Sequence, residues 1–155
     1  MFWLKSGLFA VGLGMSFVYA IIPPLARDLG LSEIQASFIF SLSAVAWAMT
    51  SAPWGRASDK YGRRNIAILG YIGYSISMII LILPIYLADK NILSAVFVFP
   101  LLILGRTIYG LLGSATRPAS FAYIADITPK SKRTKKFARF ESNFLLGTLV
   151  GPLLG

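Results

Sequence analysis

Apolar runs about twenty residues long recur through this chain, and most of its charge is gathered into the short segments between them. A helix rises ~1.5 Å per residue, so runs of that length match the ~30 Å hydrocarbon core of a bilayer. Of the 155 residues, 56% are hydrophobic and only 14% charged, against about 25% charged in soluble domains. The chain reads as an all-α, polytopic membrane helix bundle. Spans are predicted over about residues 4–26, 36–54, 65–87, 92–127 and 140–155. The first is longer than the roughly 7–15-residue core of a secretory signal, and four more follow, so it is read as an uncleaved span. The fourth is too long for one straight crossing and is expected to kink at Pro118, or to tilt and protrude. From Ser142 onward only about 21 Å of helix remains, so the chain is expected to be part of a longer protein.

The absences narrow the chemistry. There is no Cys and no His, which removes thiolate and imidazole metal sites, disulfides and His-dependent triads. No phosphate-cradling glycine loop occurs. An enzyme is not expected, nor a cofactor or metal.

The net charge of +9 would suggest nucleic acid in a soluble domain, but these cations flank spans, where topology explains them. Lys5, the cluster Arg56, Lys60, Arg63 and Arg64, and the loop cations Lys130, Lys132, Arg133, Lys135, Lys136 and Arg139 fall on one side. The other side holds Arg27 and Lys90, and Arg106 and Arg117 lie within the fourth span. The excess of Lys and Arg puts the N-terminus and both basic segments in the cytoplasm.

Residues 55–64, Gly-Arg-Ala-Ser-Asp-Lys-Tyr-Gly-Arg-Arg, form the most distinctive stretch. Gly55 would let helices approach closely, and Gly62 would permit a tight turn. Asp59 and Arg63, four apart, can pair, and Asp59 is placed to favour a helix N-terminus. In span two, Ser37, Ser41, Ala44, Ala48 and Ser51 make a small-residue stripe suited to helix packing. Phe40, Trp47 and Trp54 repeat on another face as packing and interfacial anchors.

Within span four, Arg106 is an ionisable residue in an apolar run and by default a functional candidate. Arg106, Gly110, Gly113 and Arg117 are spaced to share one helical face, the two arginines only about 20° apart on an ideal helix. Such a face should look into a cavity or onto buried acids. Substrate or proton-relay contact and a structural ion pair both remain open for these arginines. Asp126 lies about 200° round the helix from Arg106.

Together these motifs resemble the major facilitator superfamily. Residues 55–64 match its G-x-x-x-D-[RK]-x-G-R-[RK] turn between spans two and three at Gly55, Asp59, Lys60, Gly62, Arg63 and Arg64. In that family the turn is thought to latch one conformation during alternating access. Gly105 to Gly110 is similar to the R-x-x-x-G motif of drug/proton antiporters, with Tyr109 where the family usually has Gln. Residues 122–128 resemble tetracycline/proton antiporters, which implies that Asp126 contacts Arg63. Gly147, Gly151, Pro152 and Gly155 resemble the G-x-x-x-G-P-x-x-G motif of span five in antiporters, with a glycine groove and a proline bend. One departure stands out: tetracycline exporters carry an acid in span one, and no Asp, Glu, Lys or Arg lies between Ser6 and Ala26. Asp59, Asp126 and Glu141 are then the acids left for a proton relay.

The resemblance implies the first five spans of an N-terminal six-helix bundle, its C-terminal counterpart absent. It implies a secondary active exporter of drugs or small metabolites, driven by a proton gradient in a bacterial inner membrane, with membrane lipid and a small-molecule substrate as partners and no nucleic acid. Residues 1–155 would be inactive alone. Organic-anion uptake, prompted by Arg106 and Arg117, and a non-transporting membrane adaptor using the basic loop at 130–139 are the alternatives.

Overall fold

The structure is a computed structural model that describes residues 2–28, 30–90 and 92–154. Six α-helices account for most of it: α1 (Phe2–Asp28), α2 (Glu33–Tyr61), α3 (Arg63–Asp89), α4 (Ala95–Leu112), α5 (Thr116–Asp126) and α6 (Arg133–Val150). Short 3₁₀ turns occupy Gly113–Ala115, Lys130–Lys132 and Gly151–Leu154, and no strand occurs among the described residues. Among the described residues, four stretches are long and apolar enough to cross a bilayer: Trp3–Asp28, Glu33–Tyr61, Arg63–Ala88 and Phe97–Asp126. Large apolar side chains such as Ile72, Ile79, Leu83 and Leu149 are exposed. That surface would be a liability in water and is the expected one against lipid. Helix α6 starts seven residues before the predicted span at 140, because the basic segment 133–139 is itself helical.

The chain forms two compact units, Ala26–Ala119 and Met1–Leu25 with Ser120–Gly155. In the first, Ser32 caps α2 through a reciprocal box with Gln35, its hydroxyl accepting from the Gln35 N–H while Gln35 Oε1 accepts from the Ser32 N–H. Helix α4 packs against α2 and α3 through glycines. A Cβ on Gly110 would lie 2.6 Å from the Ser43 carbonyl oxygen, and one on Gly105 would lie 3.1 Å from Leu81 Cγ. Gly70 and Gly73 of α3 likewise admit Thr116 and Leu112. Lipid supplies no hydrophobic drive between helices, so close backbone approach and polar contacts select the packed faces.

That selection differs from the stripe predicted on α2. Ser37, Ser41, Ala44 and Ala48 are exposed and Ser51 is half-buried. The face turned to α4 instead carries Ser43, Ala46, Thr50 and Trp54. The Thr50 hydroxyl lies 3.0 Å from the Gly110 carbonyl and 2.8 Å from the Ser114 hydroxyl, and Trp54 Nε1 donates to the Leu111 carbonyl at 2.6 Å. Residues able to satisfy these carbonyls decide the orientation, and Ser37, Ser41 and Ala44 lie too far along the helix to reach them.

The carbonyls need partners because the fourth crossing breaks there. The interruption is the 3₁₀ turn Gly113–Ala115, not Pro118, which sits in the first turn of α5. The proline is still the cause: it has no N–H for the Ser114 carbonyl four residues back, and its ring crowds that carbonyl. The strain therefore appears one turn upstream of the residue that produces it.

In the second unit, Gly12, Gly147 and Gly151 bring α1 and α6 together. A Cβ on Gly147 would run into the Phe9 carbonyl and lie 2.8 Å from Leu13 N, and one on Gly151 would lie 2.6 Å from the Leu13 carbonyl oxygen. The predicted glycine groove thus has α1 as its occupant. Pro152 stands in the 3₁₀ turn that ends α6. It leaves the Thr148 carbonyl without its helical donor, and the Ser16 hydroxyl of α1 donates to that oxygen at 2.7 Å.

Candidate functional site

The α2–α3 turn is a single-residue joint. Tyr61 ends one helix, Arg63 starts the next, and Gly62 between them has φ +95° and ψ 130°. Only glycine adopts that backbone without strain. Asp59 and Arg63 form an ion pair across the joint, and Arg63 Nη1 donates to the Ser58 hydroxyl at 3.0 Å. Ser58 is fully buried and donates to the Gly55 carbonyl at 2.7 Å. Lys60 lies over the Tyr61 ring, and Arg64 is exposed. The pair across the joint is partly exposed, 58% for Asp59 and 29% for Arg63, so it contributes under ~1 kcal/mol to stability.

One expectation for this turn is corrected. Gly55 is not a point of close approach, since a Cβ there meets nothing within 4 Å among the described residues. No side chain caps α3 at Gly62, and Asp59 meets the first residue of that helix through its ion pair with Arg63. The two glycines should respond oppositely to substitution. Gly62→Ala is expected to destabilise by about 1–3 kcal/mol, whereas Gly55→Ala gains about 0.5–1 kcal/mol of helix propensity. Thermal unfolding of the two variants in detergent measures both, and equal midpoints would contradict the account.

Arg106 is 1% exposed in α4. Its guanidinium lies 5.4 Å from the ring centre of Phe40 on α2 and 4.9 Å from that of Tyr109, one turn along its own helix. Tyr109 is itself buried and meets Tyr74 of α3 edge-on, ring centres 6.0 Å apart at 71°. Gly113 makes room for the Tyr109 ring, because a Cβ there would lie 2.7 Å from Cδ2. Gly110 admits α2. The structure thus brings Arg106, Tyr109, Gly110 and Gly113 into one aromatic-walled cluster.

Arg117 lies beyond the 3₁₀ turn Gly113–Ala115, in the first turn of α5. A 3₁₀ turn advances ~120° per residue against ~100° in an α-helix, so the even spacing from Arg106 to Arg117 that an unbroken helix would give is interrupted. Arg117 is half-buried. Asp126 is exposed at the end of α5, in the other unit. Gly147 and Gly151 are buried against α1, Pro152 is exposed, and Gly155 lies outside the described residues.

Several contributors carry no clear mark in the sequence. Phe40 reads as a packing aromatic and forms one wall of the arginine site. Trp54 reads as an interfacial anchor and is a hydrogen-bond donor to the broken helix. Thr50, Gly70 and Gly73 belong to no motif. The Gly70-x-x-Gly73 pair on one face of a predicted span was the available signal for the last two.

The described residues form membrane-length helices with a charged glycine joint and a buried arginine in the fourth of them. The chain belongs to the Major Facilitator Superfamily, whose family model matches residues 6–155. It is 34% identical over 146 residues to the class B tetracycline resistance protein of Escherichia coli, covering 92% of this chain and 33% of that protein. It is 27% identical over 152 residues to Multidrug resistance protein 2 of Bacillus subtilis, covering 98% and 35%. Identity to the quinolone resistance protein NorA of Staphylococcus aureus is also 27%, over 154 residues, 99% of this chain and 37% of that protein. The chain spans about a third of the length of these relatives.

Proposed function

We propose that these residues form the N-terminal part of a proton-coupled exporter of drugs or small metabolites that works by alternating access, and that the activity belongs to a protein combining them with a second bundle. The buried Arg106 beneath Phe40 and Tyr109 carries the reading. A cation inside a span costs about 2.5–3.5 kcal/mol on insertion scales, and an aromatic enclosure gives it a fixed position from which to meet a substrate or influence a relay acid. The resistance relatives favour export. Asp59, Asp126 and Glu141 are the proposed relay acids, and Asp126 the proposed partner of Arg63 in the latch. The 3₁₀ turn between Arg106 and Arg117 interrupts the regular spacing that prompted a two-arginine anion site, which weighs against organic-anion uptake. Rocking needs two bundles, so residues 1–155 alone should not move substrate. The proposed setting is a bacterial inner membrane with the N-terminus cytoplasmic.

The test is drug accumulation in efflux-deficient bacteria, using tetracycline, a quinolone and a cationic dye. A protein containing this chain and a C-terminal bundle should lower accumulation of at least one, and an uncoupler that collapses the proton gradient should restore it. Efflux that persists under the uncoupler would refute proton coupling. Efflux by residues 1–155 alone would refute the need for a second bundle.

A further inference from the structure

We propose that the second unit carries a binding site for the phosphate headgroup of an anionic glycerophospholipid, between the start of α1 and the start of α6. A cavity of about 60 Å³ is lined there by Leu4, Lys5, Ile124, Lys136, Arg139 and Phe140, roomy enough for more than one water-sized group. Three cations from two helices more than a hundred residues apart in sequence surround it. Among the described residues none of the three has an ion-pair partner within 4 Å. Three like charges around one small cavity repel one another, and an anion between them reverses that energy. Lys5 and Lys136 are half-buried, so their charges are held toward the cavity rather than fully in solvent.

The walls of the cavity between these cations are rigid and apolar. Leu4, Ile124 and Phe140 are 1%, 2% and 1% exposed, and Phe140 is held edge-on by Phe121 at 5.2 Å between ring centres. These side chains are already covered by the protein, so they fix the shape of the cavity, and the choice of a lipid phosphate rests on the cations and on the membrane setting of the helices that carry them. The cations lie on the side assigned to the cytoplasm, where the leaflet is anionic and each Lys or Arg near it contributes about 1 kcal/mol. The site depends on the membrane-spanning reading and is independent of what is transported.

The test uses the 155-residue chain purified in a neutral detergent, with native mass spectrometry and thermal unfolding as readouts. Dioleoyl phosphatidylglycerol is expected to bind and raise the midpoint, while dioleoyl phosphatidylcholine and inorganic phosphate do neither. Lys5→Gln, Lys136→Gln and Arg139→Gln together should weaken phosphatidylglycerol binding on the order of a hundredfold. Lys130→Gln, Lys132→Gln and Lys135→Gln together remove the same charge from the same region outside the cavity and should change it less than about threefold. Equal losses in the two triple variants would reduce the effect to general surface charge and overturn the site. Phosphatidylcholine binding as tightly, or inorganic phosphate displacing the lipid at millimolar concentration, would overturn the lipid assignment in the unaltered chain, whatever the variants do.

Discussion

On the proposed exporter function, Arg106→Ala in a protein that joins this chain to a second bundle is expected to lower drug efflux on the order of a hundredfold, which corresponds to about 2.7 kcal/mol of lost transition-state stabilisation, while leaving the protein inserted and folded. The two halves of that expectation have separate causes. The guanidinium is the only charge of α4, it is 1% exposed, and it is held between Phe40 and Tyr109, so its removal deletes the cluster's electrostatic function. Insertion should not suffer, because deleting an intramembrane charge removes a cost of about 2.5–3.5 kcal/mol. Arg106→Lys separates charge from shape. Lysine keeps the cation but lacks the planar group that stacks on rings, and its efflux should fall between the other two proteins. Efflux by Arg106→Ala equal to that of the unaltered protein, at equal membrane abundance, would show that the residue is structural only.

Gly147→Val should instead collapse folded yield. A Cβ at Gly147 meets the Phe9 carbonyl and Leu13 N. Both belong to the backbone of α1 and cannot rotate aside, so the helices must part. Overpacking of this kind costs typically 1–3 kcal/mol. Separation would also strain the Ser16 to Thr148 bond, adding ~0.6 kcal/mol, the average for a hydrogen bond between membrane helices. The checks are the monodisperse fraction on size exclusion in detergent and the thermal midpoint, with Gly55→Ala as the control glycine that faces open space. A midpoint within a degree of the unaltered chain would mean that α1 and α6 do not pack as described.

These two residues also show what could be read without coordinates. Arg106 announced itself, because a cation in an apolar run is rare and must have a reason. Its walls did not: Phe40 and Tyr109 are unremarkable aromatics until α2 is turned so that Phe40 meets the guanidinium. Gly147 and Gly151 marked a groove by their spacing, but a groove does not name its occupant, and Ser16 of α1 was an ordinary small residue. The stripe on α2 failed for the same reason. Small residues permit close packing wherever they occur, and Thr50 and Trp54 decided which face was used because carbonyls at the α4–α5 break needed donors. Gly55 matched a family pattern that implied helix contact, yet it faces open space within its unit.

By itself, then, the amino-acid order determined that this chain is a set of membrane helices, where most of them begin and end, and which charge lies inside them. Those properties follow from hydrophobic length, proline and glycine chemistry and the cost of a buried charge, all of which act locally. Tertiary structure alone decided that α1 fills the groove at Gly147 and Gly151, that Phe40 of α2 walls Arg106, and that Lys5, Lys136 and Arg139 enclose one cavity. Each of these depends on the rotation of one helix against another. In a bilayer that rotation is set by backbone approach and by the pairing of a few polar atoms, which the pattern along one strand of sequence does not encode.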